Sequence, residues 1–95
     1  SPTRKLALKG GDGSSFVQAV IVKGATGEAD GVQSEYAWLA KHRPGWKVVS
    51  QALRGDNGKF YDVIRVTNDG KSEKIYFDIS DYWDKSTGLS VKGAF

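Results

Sequence analysis

The stretch GWKVVSQALRGDNGKFYDVIRVTNDGKSEKIYFDI, residues 45–79, decides the fold. It holds three runs rich in β-branched and aromatic residues, at 46–53, 59–67 and 72–79, which are typical of β-strands. Asp56-Asn57-Gly58 and Asn68-Asp69-Gly70 separate the runs, and these residue types tolerate the positive φ of tight hairpin turns. The stretch therefore predicts an antiparallel meander of three strands.

The length of the second turn sets the register between the last two predicted strands. A two-residue turn would pair Ile64 with Ile75, whereas a three-residue turn with a bulge would pair Val63 with Phe77. We predict the longer turn, because it gathers more apolar side chains on one side of the sheet. The other side, which one helix cannot also cover, then carries Phe60, Ile64, Val66 and Tyr76.

A strand and a helix precede the meander. Residues 16–23 (FVQAVIVK) are rich in β-branched residues and apolar on both faces, which indicates a strand covered on both sides. An amphipathic helix of about three to four turns follows, because apolar residues recur at helical spacing. It starts near Thr26 or Asp30 and stops at Pro44. Its predicted core stripe is Ala29, Val32, Tyr36, Leu39 and Ala40.

Trp38 does not fit this stripe, because it lies about 200° around the helix from Tyr36. Two interpretations stay open. Either a loop or tail covers its ring, or the ring is exposed and binds a partner.

The ends of the chain are less patterned. Residues 1–15 include a Gly/Ser-rich run at 10–15 and predict a flexible N-terminal arm, with a short edge strand as the alternative. Residues 16–95 are predicted to form the single α+β domain that a chain of this length can support. Residues 81–84 indicate a loop with two large aromatics, Tyr82 and Trp83, and residues 89–95 indicate a last short strand or a loosely packed tail.

The composition excludes several kinds of chemistry. With no cysteine and one histidine, the chain offers no disulfide, thiolate zinc site or cysteine nucleophile. No P-loop or GxGxxG motif is present, so we expect neither a cofactor nor a metal ion. The longest apolar run, residues 19–22, is far too short to span a membrane. The net charge of +3 mildly favours anionic partners, but nucleic acid is not favoured because no RNP-like string is present.

One pair of residues could support an enzyme. Asp62 and Asp78 are expected to lie opposite each other on adjacent strands, where paired carboxylates could perform general acid-base catalysis. Solvated strand acids near Arg65 and Lys74 are the simpler interpretation. We therefore predict that the protein is not an enzyme, and we keep a carboxylate-based enzyme as an alternative.

The predicted order, β-α-β-β-β with a further strand at the end, resembles the cystatin fold, in which one helix packs on an antiparallel sheet of four to five strands. Cystatins carry a QxVxG inhibitory hairpin after the helix, and Gln51-Ala52-Leu53-Arg54-Gly55 stands at the matching place. Trp83 stands where cystatins have a Pro-Trp loop, and Gly10 or Gly11 could supply their N-terminal glycine. This resemblance implies an inhibitor of cysteine proteases.

The chain is also similar to small exported bacterial α+β proteins of unassigned function, through its GWKVVSQ and IYFDI strands. This similarity implies a periplasmic or secreted location, with the cytoplasm as the alternative. The first residues, Ser1-Pro2-Thr3, are typical either of a processed mature form or of a chain trimmed for expression.

These observations predict a non-enzymatic binding module that recognises a protein or peptide through an exposed sheet face and an aromatic loop. A homodimer formed through the sheet face is an alternative arrangement, and a cystatin-type inhibitor is an alternative function. The candidate binding residues are Trp38, Gln51, Gly55, Phe60, Ile64, Tyr76, Tyr82 and Trp83.

Overall fold

Five strands and two helices make up residues 7–87, the part of the chain that this computed structural model describes. The strands are β1 (Ala7–Gly10), β2 (Val20–Lys23), β3 (Lys47–Asp56), β4 (Lys59–Asn68) and β5 (Lys71–Asp78). The helices are α1 (Glu28–His42) and α2 (Ser80–Thr87). The α+β class is therefore confirmed, with one sheet and one main helix.

The five strands form a single mixed sheet in the order β1-β2-β5-β4-β3. β2 runs parallel to β5, and the other neighbouring pairs are antiparallel. The predicted purely antiparallel sheet and its strand order are wrong, and the likeness to the cystatin fold is not confirmed. The physical reason is that α1 carries the chain from β2 to the far edge of the sheet, and such a crossover leaves β2 and β5 pointing the same way.

Two-residue turns join the strands of the meander. The first turn, residues 57–58, has φ of 55° and 80°, and the second, residues 69–70, has φ of 53° and 80°. Positive φ at both central residues is typical of type I′ turns, whose twist matches that of the flanking strands. The second turn pairs Ile64 with Ile75, so the predicted three-residue turn is wrong.

The shorter turn also changes which side chains share a face. Phe60, Ile64 and Val66 lie on the same side as Phe77, within the core under the helices. Our prediction placed these three on the opposite side, and it fails because a one-residue shift of pairing moves a strand's whole set of side chains across the sheet. Tyr76 does lie on the opposite side, which we call the second face.

α1 packs against the sheet with a different stripe from the one predicted. Its buried residues are Gly31, Ser34, Glu35, Trp38 and Leu39. Trp38 belongs to the core, where its ring meets that of Phe77 edge-on with centroids 5.5 Å apart. Tyr36, which we placed in the core, is exposed instead. The apolar periodicity predicts the wrong buried stripe, because a carboxylic acid, a serine and a glycine occupy three of the buried positions of this helix.

The ends of α1 follow ordinary helix chemistry. Gly27 is the N-cap residue and provides no side-chain cap, while Asp30 in the first turn accepts hydrogen bonds from N and Oγ1 of Thr26 at 3.2 and 2.9 Å. Basic residues in the last turn complement the helix dipole. Pro44 and Gly45 follow the helix, and Gly45 has φ of 85°.

Residues 81–84, predicted as a loop, belong to α2. Oδ1 of Asp78 accepts a hydrogen bond from N of Ser80 at 3.0 Å, and N of Trp83 donates to O of Ile79 at 2.9 Å, so the turn after β5 leads directly into a helix. The strand or tail predicted at 89–95 lies outside the described residues.

The N-terminal segment takes the edge-strand alternative. β1 pairs with β2, and N of Gly11 donates to O of Ala19 at 3.1 Å. The strand predicted at 16–23 is shortened to β2, because residues 16–19 turn, with N of Ala19 donating to O of Phe16 at 3.3 Å. Neither helix of residues 7–87 combines the length and apolarity that crossing a membrane requires.

Candidate functional site

The second face of the sheet is partly covered by the segment between β1 and β2. The ring of Phe16 lies on this face and meets the rings of Tyr61 and Tyr76 edge-on, with centroids 4.8 and 4.9 Å apart. Together with Ala19 and Val63 these rings form a second, smaller apolar cluster. The chain's own N-terminal half therefore covers part of the face that we expected another element to meet.

A close backbone approach holds this segment against β5. O of Gly13 accepts a hydrogen bond from N of Tyr76 at 2.7 Å. Gly13 has φ of 85°, and a Cβ at this position would lie 2.8 Å from Cγ2 of Ile75. Glycine is required here, because a side chain would push the segment away from the strand.

Beside Phe16 the second face stays open and forms a hollow of about 270 Å³, which we call the basic hollow. Strand register explains its chemistry, since Val63 pairs with Ala52 on one side and Tyr76 on the other, giving an apolar row across three strands. Cations flank this row. The full lining is Phe16, Ser50, Ala52, Arg54, Val63, Arg65, Lys74 and Tyr76.

The cations of the basic hollow lack acidic partners among the side chains that the structure describes. Arg65 and Lys74 lie directly opposite each other on β4 and β5, an arrangement in which like charges destabilise a sheet. Among residues 7–83, whose side chains the structure describes, neither of them nor Arg54 forms an ion pair within 4.0 Å. Glu73, the acidic neighbour of Lys74, points to the helix side and accepts a hydrogen bond from Nε of Arg43 at 2.8 Å. The hollow thus concentrates positive charge over an apolar floor.

A second polar group lies buried on the helix side. Oη of Tyr82 donates to Oε2 of Glu35 at 3.4 Å, and Glu35 has no exposed surface. Asp62 lies beside Glu35 and accepts a hydrogen bond from Nε2 of Gln51 at 2.9 Å. Oη of Tyr36 completes the chain of contacts by donating to Oε1 of Gln51 at 3.4 Å. We call Glu35, Gln51, Asp62 and Tyr82 the carboxyl cluster.

Protonation makes this cluster compatible with burial. Burial, followed by the hydrogen bond and the charge of Asp62, raises the pKa of Glu35 from its ordinary value of 4.5 to about 10. Glu35 therefore carries a proton at neutral pH, and this proton removes the repulsion between the two carboxyl groups. Oε1 of Glu35 has no hydrogen-bond partner among the described residues. Burial and the nearby Glu35 also raise the pKa of Tyr82.

Asp62 and Asp78 do not meet. Asp62 pairs with Phe77 and lies on the helix side, whereas Asp78 pairs with Tyr61 and lies on the second face. The expectation that the two carboxylates lie opposite each other is wrong, because the two-residue turn offsets them by one residue. The paired carboxyl groups in this structure are Glu35 and Asp62.

The predicted binding residues do not form one exposed surface. Three are buried in the helix-side core: Trp38, Ile64 and Tyr82. Phe60 and Trp83 are partly buried against the same core, with ring centroids 6.3 Å apart. Only Tyr76 lines the basic hollow.

Gln51 and Gly55, which the resemblance to cystatins places in an inhibitory hairpin, lie within β3. They pair with Ile64 and Phe60 of β4, and the turn of this hairpin follows at residues 57–58. The structure therefore places them along an edge strand and not at a hairpin tip.

Sequence reasoning missed the residues that give the basic hollow its character. Phe16 was assigned to a strand, although Ser15 and the glycines before it signalled a turn. Arg54, Arg65 and Lys74 are far apart in the sequence, which gives them only as part of a net charge of +3. Pairing the strands through a two-residue turn would have placed Arg65 opposite Lys74, so the register error concealed the cluster.

Among the side chains that the structure describes, those of residues 7–83, no three histidine, aspartate or glutamate side chains lie close enough together to hold a metal ion. No protein-family model, characterised protein or solved structure matches the chain. The geometry of the two faces is therefore what any functional assignment must rest on.

Proposed function

We propose that this chain is a non-enzymatic binding module that recognises an acidic peptide, or an acidic segment of a protein, at the basic hollow. The observation that carries the proposal is the group of Arg54, Arg65 and Lys74 around an apolar floor, without a described carboxylate paired to any of them. An acidic ligand would neutralise the cross-strand repulsion between Arg65 and Lys74, which gives it a source of affinity beyond simple attraction.

The floor of the hollow favours a peptide over a nucleic acid. Val63 and Ala52 offer aliphatic surface, which suits the methylene groups of glutamate or a neighbouring aliphatic side chain. Stacking of bases needs exposed ring faces. The aromatic rings here pack edge-on instead, with Phe16 against Tyr61 and against Tyr76.

The carboxyl cluster supports the non-enzymatic part of the proposal. General acid-base catalysis requires a carboxyl group within hydrogen-bonding reach of a substrate. Glu35 lies on α1 and has no exposed surface, because its side chain faces β4 and α2. The raised pKa of Glu35 results mainly from its burial between α1 and the sheet.

Titration of the isotope-labelled chain with hexaglutamate tests the proposal, with hexalysine and an oligothymidylate as comparison ligands. We expect hexaglutamate to shift the backbone resonances of Ser50, Arg65 and Lys74 and hexalysine to leave them unchanged. The affinity should fall as salt is raised, because the contact is electrostatic. Tighter binding of the oligothymidylate than of hexaglutamate would overturn the proposal in favour of nucleic acid.

Two charge reversals on the same strand localise the binding. Lys74→Glu reverses a cation of the basic hollow, whereas Lys71→Glu makes the same change of net charge on the helix side of β5. We expect Lys74→Glu to weaken hexaglutamate binding about ten-fold or more, equivalent to about 1.4 kcal/mol, and Lys71→Glu to change it about two-fold at most. Equal losses in both variants would show that only net charge matters and that the hollow is not the site.

A further inference from the structure

The outer edge of β3 adjoins the basic hollow and is open. β3 ends the sheet, and no strand of residues 7–87 pairs with its outer side. All of its ten residues except Ala52 are exposed. Its outward-pointing backbone N–H and C=O groups have no strand partner, so the edge can serve as a template for an added strand.

The middle of β3 lacks the features that usually block an edge strand. A bulge interrupts the pairing between Val48 and Ser50, and Arg54 places a charge toward the other end. Residues 50–53 lie between these two features and contain no charge and no proline. A peptide backbone can therefore bond along this part of the edge.

The two sides of β3 differ in chemistry. On the helix side, Val48 and Leu53 are 40% and 46% exposed, because α1 lies over other strands. A hollow of about 390 Å³ opens there between the end of α1 and the sheet, lined by Tyr36, Trp46 and Val48 among others. On the second face, β3 contributes Arg54 to the basic hollow. On one side of this edge two exposed apolar side chains flank Gln51, and on the other side the edge is cationic.

We propose that the partner binds as a sixth strand along the outer edge of β3, as an extended segment in which apolar and acidic residues alternate. Successive side chains of a strand point to opposite faces, so every second residue would meet Val48 and Leu53 while the others would meet Arg54 and Arg65. A uniformly acidic segment satisfies only one side. This inference rests on the proposed function, because it uses two of the same cations, Arg54 and Arg65, and adds the mode of binding.

A second copy of the chain fits this edge less well. Antiparallel pairing of two β3 strands centred on Ala52 would set Ser50 opposite Arg54 and Gln51 opposite Leu53. It would also bring Arg54 and Arg65 of both copies onto one face, where no described carboxylate pairs with them. The charge pattern therefore selects an acidic partner over self-association.

Two synthetic peptides of identical composition test the binding mode, EVELEVE with alternating residues and EEEEVLV with the acids in one block. We expect the labelled full chain to bind EVELEVE about ten-fold more tightly than EEEEVLV. EVELEVE should also slow amide hydrogen exchange in β3 at those N–H groups that do not bond to β4. Equal affinities without protection in β3 would overturn strand addition and leave the acidic preference intact. Failure of hexaglutamate and both peptides to bind would overturn the proposed function as well.

A variant on the apolar side supplies an independent measurement. Leu53→Thr replaces an exposed apolar side chain with a polar, β-branched one that strands accept well. Val17→Thr makes a similar apolar-to-polar change at a side chain that is 90% exposed outside the strands. We expect Leu53→Thr to weaken EVELEVE binding about three-fold or more without affecting EEEEVLV, and Val17→Thr to change neither. An unchanged EVELEVE affinity would contradict the proposal. So would a free protein that sediments as a dimer and becomes monomeric on Leu53→Lys, because a second copy would then occupy the edge.

Discussion

Glu35 shows how a single residue can oppose the pattern around it. A carboxyl group buried beneath a helix is costly when charged, and the usual outcome is that the group takes up a proton. Here Asp62 beside it and the hydroxyl of Tyr82 give the protonated group polar neighbours. Glu35 is absent from the apolar stripe that the sequence predicts for α1, and only the packing of α1 against β4 and α2 buries it.

Replacing Glu35 with glutamine should change how stability depends on pH. The raised pKa means that the folded state keeps a proton that the unfolded state loses above pH 4.5, so stability is full below pH 4.5 and falls as pH rises toward about 10. Glu35→Gln removes this titration while preserving shape. We will compare the free energies of unfolding of the variant and the original chain, measured with denaturant from pH 4 to pH 9. We expect the difference between them to grow in favour of the variant by up to about 1.4 kcal/mol per pH unit.

The control for this prediction is Glu28→Gln, which makes the same change at an exposed position on the same helix. Its stability should follow the original chain across the whole pH range within about 0.5 kcal/mol. If the pH profile of Glu35→Gln also runs parallel to that of the original chain, Glu35 does not hold an extra proton in the folded state.

At the scale of elements, the contact between α1 and α2 depends on one missing side chain. A Cβ at Gly31 would lie 2.2 Å from Cζ of Tyr82, which is fully buried. Glycine inside a helix normally weakens it. Its presence in α1 is explained by the ring of Tyr82, which lies directly on the helix backbone.

Gly31→Ala is therefore expected to destabilise the protein, against the sign of helix propensity. Alanine alone would favour the helix by about 1 kcal/mol, but displacing the ring of Tyr82 from a packed core costs about 1–3 kcal/mol or more. We expect a net loss in the free energy of unfolding measured with urea. Gln33→Ala, at an exposed position of the same helix, should stay within about 0.5 kcal/mol. A gain in stability for Gly31→Ala would mean that Tyr82 does not pack on α1.

The segment between β1 and β2 covers part of the second face with one side chain, the ring of Phe16. Phe16→Ala should lower the free energy of unfolding by about 2 kcal/mol, because it removes the edge-on contacts with Tyr61 and Tyr76 and exposes their rings. The neighbouring Val17→Ala is the matched control and should be nearly neutral, since Val17 touches little of the protein. Equal effects of the two changes, by thermal or urea unfolding, would show that Phe16 does not seal the second face.

At the scale of the whole molecule, the two faces of the sheet serve different purposes. The helix side holds the main core, and the second face combines a small apolar cluster with opposed cations. Keeping Arg65 opposite Lys74 costs stability in the free protein, and proteins commonly accept such a cost where a surface binds a ligand.

Lys74→Glu should therefore raise stability while it lowers the affinity for hexaglutamate. The change converts a like-charge cross-strand pair into an opposite-charge pair, which is worth about 0.5 kcal/mol in the free energy of unfolding at low salt. The gain should shrink in 1 M salt. Lys71 lies opposite the uncharged Asn68, so Lys71→Glu should show no comparable gain in stability. Loss of stability in Lys74→Glu would indicate that Lys74 already has a favourable partner in the folded chain.

The sequence by itself determined the local elements of this protein. The three strands of residues 45–79, the positions of both hairpin turns and the helix ending at Pro44 are correct to within a few residues. These features depend on side-chain periodicity and on residues that accept positive φ, and both are written in short stretches of chain. Tyr76 was also correctly placed on the second face.

Only the tertiary structure decided how the elements combine. The parallel contact between β2 and β5 joins segments far apart in the chain, and no local pattern encodes it. The single-residue register at Ile64 and Ile75 set both faces of the meander, and hence the opposition of Arg65 and Lys74 that defines the basic hollow. The burial of Glu35 and Trp38 followed from where α2 and the sheet met α1. Pairing and burial are settled by the whole set of competing contacts, and for this reason the site became visible only in three dimensions.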